Sequence, residues 1–301
     1  MELIKDHIDF RDYMEEPQDH AVRPASDFLA ETIAAFYPPV GAPVSPRPLW
    51  DKADGKIAFR KGEVSLWAGI NGHGKSMCLS QVELDLLKQG EKVLSLSFEM
   101  LPARQMQRMA RQAYAGNCPQ VQFLQKFHAL TDGRLWMYDH TGSIKWEKVM
   151  AVCRYAHEKF GITQFVIDSL MKCVRGETDY DAQKDFVNEL CAFAQSRQVH
   201  VHLVHHIRKG EDEDRIPGKF DAKGAGAITD MVDNVFIVWR NKKAERGDNR
   251  DQKPTAMLRC DKQRNGEWEG MLGFWFHPES MQYLERIDGL PMRYELTQGE
   301  Q

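Results

Sequence analysis

From about residue 55 onwards, the apolar residues of the chain follow two alternating periods. Short apolar runs predict strands, and stretches with apolar residues three or four positions apart predict helices between them. The predicted strands are at 64–68, 93–98, 135–138, 164–167, 200–204 and 235–239. The predicted helices are at 76–88, 102–115, 145–160 and 182–196. This alternation predicts an α/β fold with a mainly parallel twisted sheet flanked by helices.

Three apolar runs near the end of the chain, at 255–259, 271–276 and 282–284, are separated only by short turns. Such short connections can join antiparallel strands, whereas parallel neighbours need a crossover of a dozen or more residues. We therefore expect a C-terminal antiparallel extension of the sheet.

The two ends of the chain lack this alternating pattern. Residues 1–32 carry nine acidic residues against three basic ones, and we expect 1–22 to form an acidic, flexible tail. The main domain is predicted at 55–285, and 286–301 are predicted to form a C-terminal tail.

Residues 23–54 are predicted to contain a short linker helix followed by a proline-rich linker. Ser26 is the predicted N-terminal cap of this helix. Its apolar residues share one face, namely Leu29, Ile33, Phe36 and Tyr37. An exposed apolar face needs a surface to contact, and a neighbouring subunit is one candidate.

Composition narrows the class of protein. With 42% hydrophobic and 28% charged residues, the chain is expected to be globular. Its longest apolar runs are only a few residues and its N-terminus is charged, so we expect no membrane span, no secretory signal and a cytoplasmic location. Six cysteines without metal-binding spacing are expected to be reduced thiols. A net charge of −4 gives no bulk indication of nucleic-acid binding, although 240–264 hold nine basic residues against four acidic ones.

Residues 69–76 match the pattern G-x-x-x-x-G-K-S, which is typical of a phosphate-binding loop. The loop follows a predicted strand and opens a predicted helix, so that backbone N–H groups and the helix dipole favour a bound phosphate. Lys75 is expected to reach the terminal phosphates, and the Ser76 hydroxyl to bind Mg²⁺. The predicted nucleotide-binding residues of this segment are Gly69, Asn71, Gly72, His73, Gly74, Lys75, Ser76 and Met77.

Two acidic residues follow predicted strands. Asp168 ends the apolar run at 164–168, where a carboxylate can join Ser76 in holding Mg²⁺. Glu99 follows the run at 93–98 and precedes a helix that starts with Pro102. It can polarise the water that attacks the γ-phosphate, or it can simply complement the helix dipole; spacing alone does not decide between these roles.

Six motifs occur in an order and spacing that resemble the core of RecA-type replicative helicases, over roughly residues 55–285. They are the phosphate loop, the Ser-Phe-Glu-Met run at 97–100, the strand ending at Asp168, the histidine-rich run at 200–209, the segment 224–234 and the run at 262–267. The chain resembles the DnaB-like, superfamily-four helicases, and especially the phage primase-helicase and mitochondrial Twinkle branch. This resemblance implies a RecA-like P-loop NTPase core that uses ATP and Mg²⁺.

The resemblance also implies roles for particular residues. Glu99 matches the catalytic base, and His206 matches the residue that senses the γ-phosphate, with its neighbour His205 as the competing assignment. Lys262 and Arg264 match basic residues that reach the triphosphate bound by the adjacent subunit. Arg240 and Phe276 match residues that pack around the nucleotide base, although Phe276 can equally be a core residue.

DNA contacts are implied in two loops. The first follows Asp168 and contains Lys172 and Arg175. The second loop contains Lys219 and Lys223, but four acidic residues at 211–214 offset its basic charge.

The implied function is a ring-forming helicase, expected to be a hexamer, that hydrolyses ATP while it moves along single-stranded DNA, 5′ to 3′, and unwinds duplex during replication. A RecA-type recombination or repair ATPase and a RecA-fold switch ATPase are the alternatives. We expect no primase activity, because no zinc-finger cysteine cluster precedes residue 55. A separate primase or loader is a candidate partner.

Overall fold

The computed structural model describes residues 13, 24–174, 179–207, 216–218, 226–246 and 253–294. Its central feature is one sheet, with strands β1 (Val64–Ile70), β2 (Val93–Ser97), β3 (Leu135–Met137), β4 (Gln164–Asp168), β5 (His200–Ile207), β6 (Asn234–Arg240), β7 (Ala256–Gln263), β8 (Gly270–His277) and β9 (Gln282–Leu284). The strand order is β3-β2-β4-β5-β1-β6-β7-β8-β9.

The sheet has a parallel part and an antiparallel part. Strands β1 to β6 run parallel to one another, and β7, β8 and β9 continue the sheet with antiparallel pairing. Every residue of β1, β2 and β4 is buried, as expected for parallel strands whose two faces are both covered by helices. The predicted parallel sheet with its C-terminal antiparallel extension is confirmed.

Eight α-helices lie within the described residues. They are α1 (Leu29–Phe36), α2 (Lys75–Lys88), α3 (Pro102–Tyr114), α4 (Val121–Thr131), α5 (Trp146–Phe160), α6 (Leu170–Cys173), α7 (Tyr180–Arg197) and α8 (Gly226–Met231). Pro102 occupies the first turn of α3, where its missing N–H leaves no helical hydrogen bond unmade. Asp179 caps α7 by accepting a hydrogen bond from the Ala182 N–H, 3.2 Å away. The sequence analysis did not predict α4.

The N-terminal helix begins later than its expected cap. A 3₁₀ turn spans Ala25–Phe28 and contains Ser26, and α1 starts at Leu29 without a side-chain cap. The prediction of Ser26 as the cap is therefore wrong. Every residue of α1 is exposed, including Ile33 and Phe36.

The core lies in two layers, one on each face of the sheet. Alternate residues of β1 point to opposite faces, so that Leu66 faces one layer and Trp67 the other. The first layer packs the sheet against α5 and α7. The second layer packs it against α2, α3 and α4. None of the described helices combines the length and apolar character needed to cross a bilayer.

Segments on either side of the predicted main domain pack onto α2. The Leu49 N–H donates to Asp85 Oδ2 at 3.0 Å, and the Tyr294 hydroxyl donates to Asp85 Oδ1 at 2.6 Å. Tyr294 is 2% exposed, although it falls in the predicted C-terminal tail. Burial raises the pKa of Asp85 to about 7. The helix that follows the phosphate loop is thus held by residues 49 and 294.

Two buried histidines link β5 to its neighbours. His200 donates from Nδ1 to the Arg60 carbonyl at 2.6 Å, and its Nε2 lies 2.9 Å from Ser65 Oγ. His202 Nδ1 accepts from the Trp67 indole at 3.2 Å, and its Nε2 lies 3.2 Å from Gln164 Oε1. Burial lowers the pKa of His200 to about 4, and that of His202 well below its usual range. Both rings are therefore neutral in the folded protein at neutral pH.

We expect these histidines to make the fold sensitive to acid. The unfolded chain takes up protons near the usual histidine pKa of about 6.5, whereas the folded chain does not, so stability falls as the pH falls from about 6.5 towards 4. Each buried histidine contributes up to about 1.4 kcal/mol per pH unit to this loss. Urea unfolding between pH 7 and pH 5 measures the slope. His202→Gln should make it shallower by about that amount, and equal slopes for the two proteins would contradict this explanation.

Candidate nucleotide-binding and catalytic site

Parallel pairing brings the predicted site residues to one edge of the sheet. In the register, Gly69 of β1 is beside His206 of β5, and Ser97 of β2 is beside Asp168 of β4. The carboxyl ends of these strands therefore point the same way, and the loops that follow them meet. Ligands commonly bind at this edge in open α/β sheets.

Glycines give the phosphate loop its shape. Gly72 and Gly74 have φ angles of 78° and 85°, a left-handed conformation that favours glycine. Gly69 is required for a different reason, because a Cβ atom there would lie 2.4 Å from the Val238 carbonyl oxygen of β6. The loop therefore lies directly against the backbone of the neighbouring strand.

Lys75 lies inside the loop. Its side chain is buried, and Nζ donates to the carbonyl oxygens of Gly69, at 2.9 Å, and Ile70, at 3.2 Å. Burial lowers the pKa of Lys75 to about 8, while the nearby Asp168 and Glu99 carboxylates raise it. These two acids help to keep the ammonium charged at neutral pH.

Three further residues of the predicted set shape the loop or the start of α2. His73, which is 8% exposed, donates its N–H to the Ile70 carbonyl at 3.2 Å. The Met77 N–H donates to the Gly74 carbonyl at 3.1 Å, while Asn71 is exposed at the turn.

Ser76 and Asp168 are adjacent, and they provide the donor set for Mg²⁺. The Ser76 side chain hydrogen-bonds to Asp168, whose Oδ1 atom is buried without a hydrogen-bond partner among the described residues. Burial raises the pKa of Asp168, and the hydrogen bond from Ser76 opposes this rise. A hydroxyl beside a carboxylate with a free oxygen suits a hard cation such as Mg²⁺.

Glu99 lies beside this pair and makes two contacts through Oε1. The Ser169 hydroxyl donates to it at 3.1 Å, and His206 Nε2 is also 3.1 Å away. The hydrogen bond with His206 is the main cause that lowers the pKa of Glu99 to about 2. The carboxylate is therefore ionised at neutral pH, and the ring of His206 holds its orientation.

The two adjacent histidines point to opposite faces of β5. His206 is in contact with Glu99, and its side chain is 23% exposed. His205 is 6% exposed, and burial lowers its pKa to about 4. Of the two candidates, His206 is the one that contacts the proposed base.

A small cavity of about 150 Å³ adjoins the Mg²⁺ donor set, and two of its residues were missed by the sequence analysis. Glu83 of α2 is 2% exposed; its Oε1 accepts from the Ser95 hydroxyl at 3.1 Å, while Oε2 is buried without a partner among the described residues. Burial raises the pKa of Glu83 to about 8. Arg108 of α3 lines the same cavity together with Ser76 and Asp168. Only the approach of α2 to α3 brings these residues together, so no local pattern marks them.

The antiparallel strands contribute aromatic residues on the other side of the loop. The Arg240 guanidinium lies 3.4 Å from the centre of the Phe276 ring, and Glu245 forms a two-point ion pair with it. The Tyr283 hydroxyl donates to the Gly74 carbonyl at 3.0 Å. Arg240 and Phe276, predicted to surround the base, thus lie together beside the phosphate loop, but Phe276 is also 5% exposed and part of the core.

Lys262 and Arg264 lie at the opposite edge of the sheet. Lys262 pairs with Val235 near the start of β6, whereas the phosphate loop lies near the end of that strand. The Lys262 ammonium donates to three backbone carbonyls around the end of α8, at distances from 2.7 to 2.9 Å. Arg264 pairs with Asp233 at 3.0 Å and donates to the Asp230 and Met231 carbonyls. Neither side chain is placed to reach the phosphate loop of its own subunit.

The predicted DNA-binding residues are only partly described. Lys172 lies on α6, where its positive charge helps to lower the pKa of Glu99. Arg175, Lys219 and Lys223 lie outside the described residues.

Comparison with solved structures defines the class of this protein. The ATPase domain of a phage helicase superimposes with a TM-score of 0.69 at 14% identity, covering 85% of this chain and 98% of that chain. A DnaB-like replicative helicase, solved to show its interactions with primase, gives 0.70 at 13% identity, covering 89% of this chain and 67% of that chain. The chain has the RecA-like P-loop fold of these ATPase domains, which confirms the predicted fold class.

The family follows from the sequence. A family model described as an AAA domain matches residues 43–212, more than half of the 301 residues. The chain belongs to this AAA domain family.

We expect the phosphate loop to tolerate no side chain at its first glycine. In Gly69→Ala, the new methyl group meets a backbone carbonyl of β6, and overpacking of this kind typically costs about 1–3 kcal/mol. Gly226→Ala is the matched control, because a Cβ atom at Gly226 meets nothing within 4 Å. Thermal unfolding should show a lower Tm for Gly69→Ala alone. A Tm equal to that of the wild type would contradict the close approach.

Proposed function

We propose that this protein is a Mg²⁺-dependent ATPase that works as a ring-shaped homo-oligomer, moves along single-stranded DNA and unwinds duplex. The observation that carries the proposal is the contact between Glu99 and His206. It joins an acid beside the Ser76 and Asp168 pair to the end of β5, the strand that leads into the predicted second DNA loop. A site built only to bind nucleotide has no need of that connection.

The proposed chemistry is assigned to this chain's own residues. Mg²⁺ held by Ser76 and Asp168 would neutralise charge on the β- and γ-phosphates. Lys75 binds the same phosphates from the loop. With a pKa of about 2, Glu99 is a weak proton acceptor. Its main contribution is therefore to orient and polarise the attacking water, and it takes the proton only as the bond to phosphorus forms.

His206 is assigned to coupling. Its ring contacts Glu99 at one end, and its backbone lies in β5 one residue before the strand ends at Ile207. A change in the position of Glu99 when the γ-phosphate leaves would alter this hydrogen bond. Movement of the ring would then reach the predicted DNA loop directly.

The position of Lys262 and Arg264 supports catalysis across a subunit interface. They lie at the edge of the sheet opposite the phosphate loop, so they cannot serve their own site. In a head-to-tail ring, the interface joins two different faces of neighbouring subunits. The basic pair of one subunit would then stabilise the charge on the phosphoryl group in the next.

The descriptions of the two solved structures support the class of substrate. One is the ATPase domain of a phage helicase, and the other is a DnaB-like replicative helicase described with primase. We propose single-stranded DNA as the substrate and a separate primase or loader as a further partner. Lys172 remains the one proposed DNA contact among the described residues. Six subunits and 5′ to 3′ movement are the proposed ring size and direction.

An apolar groove and an apolar helix favour a homo-oligomer. The groove lies between α3 and α4, encloses about 770 Å³, and is lined by Leu101, Met106, Ala110 and Leu124 among others. Helix α1 exposes Ile33 by 51% and Phe36 by 77%. We propose that α1 of one copy docks in the groove of the next, which would bury both surfaces and close the ring.

Subunit mixing tests catalysis between neighbours. We expect Glu99→Gln and Arg264→Ala each to lower single-strand-stimulated ATP turnover by at least about 10³-fold, the typical contribution of an arginine supplied in trans. Mixed rings should regain turnover, because some interfaces pair an intact Glu99 with an intact Arg264. Turnover is measured at saturating ATP, after native mass measurement has verified mixing. Mixed rings as inactive as the single variants would contradict catalysis in trans.

The helicase assignment is tested by the DNA dependence of turnover. The wild type should hydrolyse ATP faster with single-stranded DNA, and should separate a forked duplex. Hydrolysis without any stimulation, with the fork left intact, would instead favour a switch ATPase. Filaments that exchange strands would indicate a recombinase.

Native mass measurement also tests the docking of α1. Ile33→Glu places a charge on its apolar face, so we expect the ring to dissociate into smaller species at micromolar concentration. Ala35→Glu adds the same charge on the opposite face of α1 and should leave the ring intact. Equal assembly of the two variants would exclude docking through this face.

A further inference from the structure

The turn after β6 has a fixed conformation beside the phosphate loop. The Asn241 side chain accepts hydrogen bonds from the Lys243 and Ala244 N–H groups, at 3.1 and 2.9 Å, and its own N–H donates to the Thr255 carbonyl at 2.8 Å. The ion pair between Arg240 and Glu245 closes the turn. These contacts direct the residue between Asn241 and Lys243.

That residue, Lys242, points at the tip of the phosphate loop. A Cβ atom built on Gly72 would lie 3.3 Å from Lys242 Nζ, and no other heavy atom would lie within 4 Å of it. The ion pairs of the described residues do not include Lys242. An exposed ammonium therefore lies against a loop whose backbone is shaped to hold phosphate.

The side from which Lys242 approaches determines what it can do. Strand β1 lies between β5 and β6, so the two neighbours flank the loop on opposite sides. His206 and Glu99 are on the β5 side, where the γ-phosphate would be attacked. Lys242 follows β6, together with Arg240 and Phe276. Its ammonium is thus on the side away from the reacting phosphorus.

We propose that Lys242 is a nucleotide-binding residue that contacts the non-transferred phosphates of a bound nucleoside triphosphate. This inference rests on the proposed function, because it assumes that the loop binds nucleotide. An interaction present equally before and during the reaction strengthens binding without accelerating chemistry. Lys242 therefore governs affinity, while Lys75 and Glu99 govern turnover.

Nucleotide affinity of a matched pair of variants tests the assignment. Lys242→Met removes the ammonium and keeps the length of the side chain, and Lys243→Met makes the same change one residue away. By calorimetry, Lys242→Met should bind Mg·ADP and Mg·ATP about five- to tenfold more weakly, the range for one charge-assisted hydrogen bond. Lys243→Met should match the wild type. Lys242→Arg should restore most of the affinity.

Kinetics and a phosphate-free ligand separate a direct contact from a structural effect. Lys242→Met should raise KM for ATP and leave kcat within about twofold of the wild type. Adenosine should bind the variant and the wild type equally, because it carries no phosphate. Unchanged ADP affinity, or an equal loss for adenosine, would overturn the assignment. If the wild type itself binds no nucleotide, the proposed function fails as well, which distinguishes the two results.

Discussion

The parallel pairing of β1 with β5 and β6 is the constraint on which the site depends. It fixes the phosphate loop between two strand ends, with the Glu99 and His206 contact on one side and the Arg240 and Phe276 stack on the other. The absence of a side chain at Gly69 allows this arrangement, since β1 and β6 approach too closely for a Cβ atom. Chemistry and base recognition are thereby assigned to opposite flanks of one loop.

Much of the fold could be predicted from the sequence because its strands are buried on both faces and its helices are amphipathic. The strands at 64–68, 164–167 and 235–239 all appear, each with slightly longer bounds. Helix α4 was missed because only Phe127 and Thr131 of its eleven residues are buried, so its apolar period is weak. The cap at Ser26 was wrong because the chain forms a 3₁₀ turn there before α1 begins.

The site divides in the same way between local pattern and distant contact. The loop, Asp168 and Glu99 follow from motifs, because each lies at the end of a strand or the start of a helix. The choice between His205 and His206 needed the structure, since it depends on which face of β5 is turned towards Glu99. Glu83 and Lys242 have no motif at all; their positions arise from the packing of α2 and from the turn after β6. Their assignments remain proposals.

The two hydrogen bonds on Asp85 bear on how this protein can be shortened. A fragment cut to residues 55–285 would look like a complete ATPase domain, yet it would remove both Leu49 and Tyr294. The fully buried carboxyl group would lose both of these partners, and leaving such a group unsatisfied typically costs about 1–3 kcal/mol or more. That group is on the helix that begins with Lys75. A minimal fragment therefore has to extend from before Leu49 to beyond Tyr294 if its phosphate loop is to keep its support.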